Sequence, residues 1–161
     1  MLLECARPKQ PDFKLHDVHE IIDNVLNLLG SKAEKGAVQL QREFEAEDAL
    51  MSCDREQMMQ VFLNLVLNAM QFVPDGGRVV ISTHREANAL WITVADDGPG
   101  IDPEMRKNIF DPFFSRREGG IGLGLTIVQQ IVQAHGGEIE ADESRWGGAA
   151  FNIRFAMNER T

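Results

Sequence analysis

The chain has 161 residues, of which 43% are hydrophobic, which is enough for one compact domain with a buried core. Its formal net charge of -9 argues against a general nucleic-acid or anionic-membrane surface, because both need clustered positive charge. Two cysteines without metal-type spacing fit a reducing compartment, and the longest apolar runs fall short of the roughly 20 residues that span a bilayer. "MLLECARPK" is too short for a signal peptide, so we expect a soluble, cytoplasmic domain.

The first half of the chain predicts two long helices and a strand. "ARPKQPDF" holds two prolines within four residues and indicates a linker, preceded by the end of a helix. Apolar residues at helical spacing predict an amphipathic helix from His16 to Lys35, ended by Gly30 or Gly36. "AVQLQREF" alternates and predicts a strand. Asp54 is the expected N-cap of a long helix that runs to about Phe72.

The second half predicts four strands around a glycine-rich region. "RVVISTHR" and "ALWITVAD" predict strands joined by a hairpin turn within "EANA". After the loop "DDGPGI", "DPEMRKNIF" predicts a short helix with Asp102 at its N-cap. A flexible segment, the helix "LTIVQQIVQAH" and the strands "EIEAD" and "AAFNIRFAM" follow. Because helices and strands mix without a regular βαβ order, we expect an α+β sandwich with helices on one face of a sheet.

A stripe of neutral amides follows the long central helix. Its members are spaced three or four residues apart and therefore share one helix face: Gln57, Gln60, Asn64, Asn68 and Gln71. The stripe fits an ordinary solvent face, but such faces usually carry Lys, Glu and Arg, and this helix has no charge from Gln57 to Val73. The alternative is a row of amides facing a polar ligand, with oxygens that help to hold a hard cation.

The loop "VADDGPGI" is a candidate site for a flat ligand. Asp96 shares strand parity with apolar residues, so its carboxylate points to the side of the core and needs donors, such as a ligand amino group. Gly98 and Gly100 have no Cβ and let a ligand approach the backbone. An ordinary Asp-Gly turn is the alternative interpretation.

The segment "GGIGLGLTIVQQIV" is a candidate phosphate site. Free backbone N–H groups at a helix start, after flexible glycines, bind anions, and Arg116 and Arg117 lie just upstream. The phosphate loop G-x-x-x-x-G-K-[ST] is absent, so any phosphate binding uses another geometry. A mobile loop followed by a helix packed on the sheet is the alternative.

In this order, these segments resemble the ATP-binding catalytic domain of sensor histidine kinases, within the GHKL superfamily. "QVFLNLVLNAMQF" looks like the N box, "DDGPGI" the G1 box, "IFDPFF" the F box and "GGIGLGL" the G2 box. The resemblance implies a two-layer, Bergerat-type α/β sandwich, with a mixed sheet of about five strands covered on one face by three main helices. It also implies that residues 1–11 are the end of a dimerisation helix and a linker, and residues 12–161 the catalytic domain.

The resemblance implies a role for each matching residue. Asp96 would accept a hydrogen bond from the adenine amino group, and Asn68 would help to hold Mg²⁺ against the phosphates, with Asn64 close by. These two asparagines are the implied catalytic positions. The implied ATP-binding residues are Asn64, Asn68, Gln71, Asp96, Gly98, Gly100, Ile101, Arg116, Arg117, Gly120, Gly122, Leu123, Gly124 and Leu125. Gln71 replaces a frequent Lys or His, Ile121 replaces a frequent Thr, and Ala149 replaces a frequent Thr or Ser near the adenine.

The implied activity is transfer of the γ-phosphate of ATP to a histidine on a separate dimerisation domain, and from there to a response regulator. No contact of this domain with nucleic acid or membrane is expected. His19–Glu20 begins like an acceptor motif but lacks its proline, so the acceptor is expected outside this chain. Asn64 stands where ATP-hydrolysing relatives carry a water-activating glutamate, and an amide is no base near neutral pH. A serine kinase of the anti-sigma type and a nucleotide-binding regulatory module without transfer activity are the alternatives.

Overall fold

Seven strands form two sheets in the computed structural model, which describes residues 10–112 and 123–157. In chain order they are β1 (Lys14–Asp17), β2 (Gln39–Phe44), β3 (Leu50–Cys53), β4 (Arg78–Glu86), β5 (Ala89–Asp96), β6 (Glu138–Glu143) and β7 (Ala149–Ala156). The main sheet has the order β2-β4-β5-β7-β6, with β2 and β4 parallel and the other neighbours antiparallel. The mixed five-stranded sheet is therefore confirmed.

Within the described ranges, three helices complete the sandwich: α1 (Val18–Lys35), α2 (Arg55–Phe72) and α3 (Leu123–Ala134). They contribute apolar side chains to one core, and α2 lies at its centre with five side chains that are fully buried: Met58, Val61, Phe62, Leu65 and Val66. Those side chains join a cluster with the sheet residues Ile81 and Ile92. Each such burial stabilises the fold by about 1.5–3 kcal/mol. The α+β sandwich with three main helices is confirmed.

Helix α2 begins where the sequence predicted it. The Asp54 carboxylate accepts a hydrogen bond from the Gln57 N–H at 3.0 Å and another from the Asp12 N–H at 2.9 Å. Burial alone would raise the pKa of Asp54, but these hydrogen bonds and the nearby His135 outweigh it, so its pKa is lowered. The contact at Asp12 ties the start of the described chain to α2, while the domain boundary after residue 11 stays a prediction.

The first helix starts later than predicted. His16 lies in β1, and α1 begins at Val18 with Asp17 as its N-cap, accepting from the His19 N–H at 2.9 Å. Of the two predicted stops, Gly36 is the C-cap, whereas Gly30 lies inside the helix. Strands β1 and β3 form a separate antiparallel pair that the sequence did not predict, because each has only four residues and its partner lies far along the chain.

The remaining predictions differ in detail. The hairpin between β4 and β5 turns at residues 87–88 as expected, with Glu86 opposite Ala89. "DPEMRKNIF" forms two short 3-10 turns, Pro103–Met105 and Asn108–Phe110, rather than one helix, although Asp102 caps the first. Helix α3 starts at Leu123, two residues before the predicted helix segment. None of the helices within the described ranges is both long and apolar enough to cross a membrane.

Candidate functional site

The amide stripe of α2 is divided between solvent and interior. Gln60 and Gln71 are exposed, whereas Asn64 and Asn68 are partly buried and Gln57 is only 7% exposed. The Asn68 nitrogen Nδ2 is buried and has no hydrogen-bond partner in the described part of the chain. A simple solvent face does not explain this, since a buried donor without a partner costs about 1–3 kcal/mol. The middle of the stripe is therefore suited to a polar ligand.

Asp96 is a buried carboxylate at the end of the central strand β5. It is 1% exposed, which confirms that it points to the side of the core. Its Oδ1 atom accepts hydrogen bonds from the Gly98 N–H at 2.9 Å and the Ala149 N–H at 3.1 Å. Two backbone donors therefore fix the orientation of the carboxylate. Asp96 is thus held in a fixed orientation beside the start of β7.

The neighbouring carboxylate, Asp97, has a different environment. Its Oδ1 accepts from the backbone N–H of Arg78 at 2.9 Å, and its Oδ2 lies 3.6 Å from the Nε of the same arginine. Both oxygens of Asp97 therefore contact β4, at the start of the neighbouring strand. The pairing makes Asp97 a structural link and leaves Asp96 as the candidate ligand-binding carboxylate.

The glycines of "DDGPGI" are required by the packing of the backbone. A Cβ on Gly98 would lie 2.9 Å from the carbonyl oxygen of Phe72, at the end of α2. Gly100 has a φ of +80°, and a Cβ there would lie 2.9 Å from the carbonyl oxygen of Gly147. The loop after Asp96 is therefore pressed between the end of α2 and the β6–β7 connection. These contacts bring the amide stripe and Asp96 into one region.

Helix α3 is joined to this region through the second 3-10 turn. The Thr126 hydroxyl donates to the carbonyl oxygen of Phe110 at 2.9 Å, and Phe110 packs edge-on against Phe151 of β7. Ile101 and Leu125 are buried in the core, so at these predicted ligand positions the side chains serve packing. A Cβ on Gly124 would meet no heavy atom of residues 10–112 or 123–157 within 4 Å.

Part of the predicted phosphate segment lies outside the described residues. This holds for Arg116, Arg117, Gly120 and Gly122, and the side chain of Leu123 is likewise not described. Gln71 is exposed near the end of α2. The predicted contacts of all these residues with a ligand stay predictions.

The contact that Ser144 of the β6–β7 connection makes with Asp96 was not predicted from the sequence. Ser144 is buried, and its hydroxyl donates to the backbone carbonyl of Asp96 at 2.6 Å. A Cβ on Gly148 would lie 2.2 Å from that same carbonyl oxygen. Tight turns with a serine followed by paired glycines are visible in the sequence, but a contact across 48 residues is not.

The residues present fit a magnesium ion only with a ligand's help. Among residues 10–112 and 123–157, no group of three or more His, Cys, Asp or Glu side chains is arranged to hold a metal. Asn64 and Asn68 offer amide oxygens, a ligand type that Mg²⁺ accepts when substrate phosphates and waters fill its other positions. The site therefore suits a cation that arrives with a phosphorylated ligand.

The family model described as "Histidine kinase-, DNA gyrase B-, and HSP90-like ATPase" matches residues 53–159. The chain belongs to this family. Within the family it is similar to sporulation kinase C of Bacillus subtilis (strain 168), with 36% identity over 153 residues, 94% of this chain and 36% of that protein. The chain thus spans about a third of the length of this curated relative.

Solved structures agree with the sequence comparison. The catalytic domain of histidine kinase ThkA superimposes with a TM-score of 0.83 and 30% identity, covering 90% of this chain and 95% of that one. ThkA in complex with the response regulator protein TrrA gives a TM-score of 0.84 and 28% identity, covering 98% of this chain and 45% of that one. The resemblance to the catalytic domain of sensor histidine kinases is therefore confirmed, and the chain is an ATPase domain of the histidine kinase type.

Proposed function

We propose that this domain binds Mg-ATP and transfers the γ-phosphate to a histidine on a dimerisation domain outside residues 12–161. The observation that carries the proposal is Asp96, a buried carboxylate fixed by two backbone N–H groups beside the end of α2. A carboxylate in that position accepts a hydrogen bond from the 6-amino group of adenine. Family membership supports the same ligand.

The amides of α2 are proposed to meet the triphosphate. The Asn68 Nδ2 group needs an acceptor, and a phosphate oxygen supplies one. The Asn68 amide oxygen is suited to hold Mg²⁺, with Asn64 one helical turn away on the same face. Magnesium, when bound, supplies charge neutralisation at the phosphates. The remaining contacts are proposed to come from Gln71 and the segment from Arg116 to Leu125.

The acceptor is proposed to be a histidine rather than water. Hydrolysis needs a base that orients and activates water, and Asn64 carries a neutral amide at the implied position of that base. Phosphoryl transfer to a positioned side chain needs mainly orientation and charge neutralisation, which a nucleotide site provides. The structure of ThkA with the response regulator TrrA supports a response regulator as the next partner of the whole kinase. Because ATP is an intracellular substrate, the domain is proposed to act in the cytoplasm.

A regulatory nucleotide-binding module without transfer activity is the second candidate. Ala149 favours it, since this buried residue gives Asp96 a backbone N–H but has no side-chain hydroxyl. Gln71, exposed near the end of α2, is uncharged and lacks the cation that the resemblance leads us to expect. Tight Mg-ATP binding without transfer to any supplied dimerisation domain would support this candidate.

The deciding experiment mixes the 161-residue chain with a separately expressed cognate dimerisation domain and γ-labelled ATP. We expect label on the partner that is lost in acid and retained in base, as a phosphohistidine is. Asn68→Ala should abolish the label, whereas Gln60→Ala, an exposed amide on the same helix, should not. Acid-stable label would contradict histidine transfer in favour of a serine kinase of the anti-sigma type.

A further inference from the structure

The connection between β6 and β7 reaches Asp96 through one buried hydroxyl. Ser144 is 7% exposed, and its Oγ donates to the Asp96 carbonyl oxygen at 2.6 Å. The same Oγ accepts N–H groups from Gly148 at 3.0 Å and Trp146 at 3.2 Å. The hydroxyl therefore uses its donor and both acceptor positions. Alanine at this position would remove all three hydrogen bonds.

The turn around Ser144 is closed by backbone hydrogen bonds and lies directly against Asp96. The Ser144 N–H donates to the Gly148 carbonyl at 2.8 Å, and the Gly147 N–H donates to the Ser144 carbonyl at 3.0 Å. Immediately after the turn, the Ala149 N–H donates to the Asp96 carboxylate at 3.1 Å. One short loop thus holds the main chain of Asp96 through Ser144 and its side chain through Ala149.

The far side of this loop is attached to the edge of the main sheet. Arg145 Nη2 lies 2.6 Å from the Glu43 carboxylate of β2, and the Arg145 guanidinium lies 4.4 Å from the centre of the Trp146 ring. The Arg78 guanidinium also contacts that ring, at 5.2 Å. These contacts connect residues 145–146 to strands β2 and β4, next to the residue whose hydroxyl contacts Asp96.

We propose that Ser144 is a positioning residue that sets the preference of this domain for adenine over 6-oxo purines, by fixing the Asp96 carboxylate. The inference rests on the proposed function, because it takes Asp96 as the group that meets the adenine amino group. Hydrogen bonds weaken steeply when distance or angle departs from the optimum. A loosened Asp96 therefore loses the contact with the amino group, whereas the triphosphate contacts on α2 and α3 are unaffected.

The test compares ATP with inosine triphosphate, which carries a keto oxygen where ATP has the amino group. Calorimetry on the 161-residue chain measures both affinities in the wild type, Ser144→Ala, Ser144→Thr and the control Ser52→Ala. Ser52 is an exposed serine in the separate two-stranded sheet. We expect Ser144→Ala to weaken ATP binding about fivefold to tenfold, the loss of one hydrogen bond, and to change inosine triphosphate binding less than about twofold.

The threonine variant and the second nucleotide separate positioning from folding. Ser144→Thr keeps the hydroxyl and should restore most of the preference for ATP, while Ser52→Ala should match the wild type. Retained binding of inosine triphosphate shows that Ser144→Ala is folded with an intact phosphate site. Equal weakening of both nucleotides, or no change in either, overturns the proposed role. A wild type without preference for ATP overturns the adenine assignment of the proposed function as well, so the two failures are distinguishable.

Discussion

Replacing Gly148 by alanine would place a methyl group against the backbone and carboxylate of Asp96. The new Cβ would lie 2.2 Å from the Asp96 carbonyl oxygen and 2.5 Å from its Oδ1, whereas contacts below 3.0 Å are essentially never seen. Asp96 and the turn must therefore move apart by about 1 Å. The methyl group would contact backbone atoms of Asp96, which cannot rotate away as a flexible side chain could. In the variant, this movement would distort the three hydrogen bonds that Asp96 accepts from Ser144, Gly98 and Ala149.

The expected cost follows from these contacts. Overpacking a filled site costs about 1–3 kcal/mol, and losing one of the three hydrogen bonds accounts for about 1 kcal/mol of it. For a chain of this size the melting temperature should fall by about 2–12 °C. Thermal unfolding by circular dichroism measures the stability, and calorimetry measures ATP affinity, which should fall because Asp96 is displaced.

Gly30→Ala is the matched control. Gly30 is exposed inside α1, and a Cβ there would meet no heavy atom of the described residues within 4 Å. The substitution should stabilise the fold by about 0.5–1 kcal/mol and leave ATP affinity unchanged. If Gly148→Ala melts at the wild-type temperature and binds ATP equally well, the described packing of the β6–β7 loop against Asp96 is wrong.

Three further predictions concern α2 and the strand before it. Asn68→Ala should weaken ATP binding in the presence of Mg²⁺ by at least about tenfold, which is the loss expected for a contact to a charged group. If the variant binds Mg-ATP as tightly as the wild type, the magnesium assignment is refuted. Burial, together with the charge of Asp54, raises the pKa of the Cys53 thiol to about 11. In a Cys5→Ser variant, a thiol reagent should therefore label Cys53 only after the chain is unfolded in urea. Rapid labelling of the native chain would contradict this prediction. Folding lowers the pKa of Asp54 from its ordinary value of 3.8, so the charged carboxylate stabilises the native state at any pH above 3.8. This stabilisation is lost as the pH falls through the lowered pKa. Asp54→Asn should therefore be less stable than the wild type at neutral pH in urea titrations and approach it in acid, and a difference independent of pH would count against this.

Local sequence patterns predicted the elements that build the centre of the fold. Helix α2 and the β4–β5 hairpin follow from periodicity, capping and turn residues, all of which act over a few positions. The orientation of Asp96 followed from the two-residue period of β5 and is confirmed by its burial. These features are dictated locally, so one sequence is enough to find them.

Contacts between distant segments were not predictable in this way. Strand β1 pairs with β3 across all of α1 and β2, and a strand of four residues is too short for its alternation to be recognised in the sequence. The Ser144 hydroxyl reaches Asp96 from a turn 48 residues away. Gly98 and Gly100 were assigned to ligand access, yet in the structure backbone packing already requires both. These details depend on packing between residues that are far apart in the chain, and a single sequence does not reveal which distant residues make contact.

Asp96 is proposed to accept a hydrogen bond from the adenine amino group. In Asp96→Asn, the amide oxygen would take over the N–H groups of Gly98 and Ala149, leaving an amide NH₂ donor to meet the donor of adenine. Calorimetry should therefore show ATP binding weakened by about 10- to 100-fold, with the preference between ATP and inosine triphosphate reversed. Unchanged ATP affinity and an unchanged preference in Asp96→Asn would contradict the account.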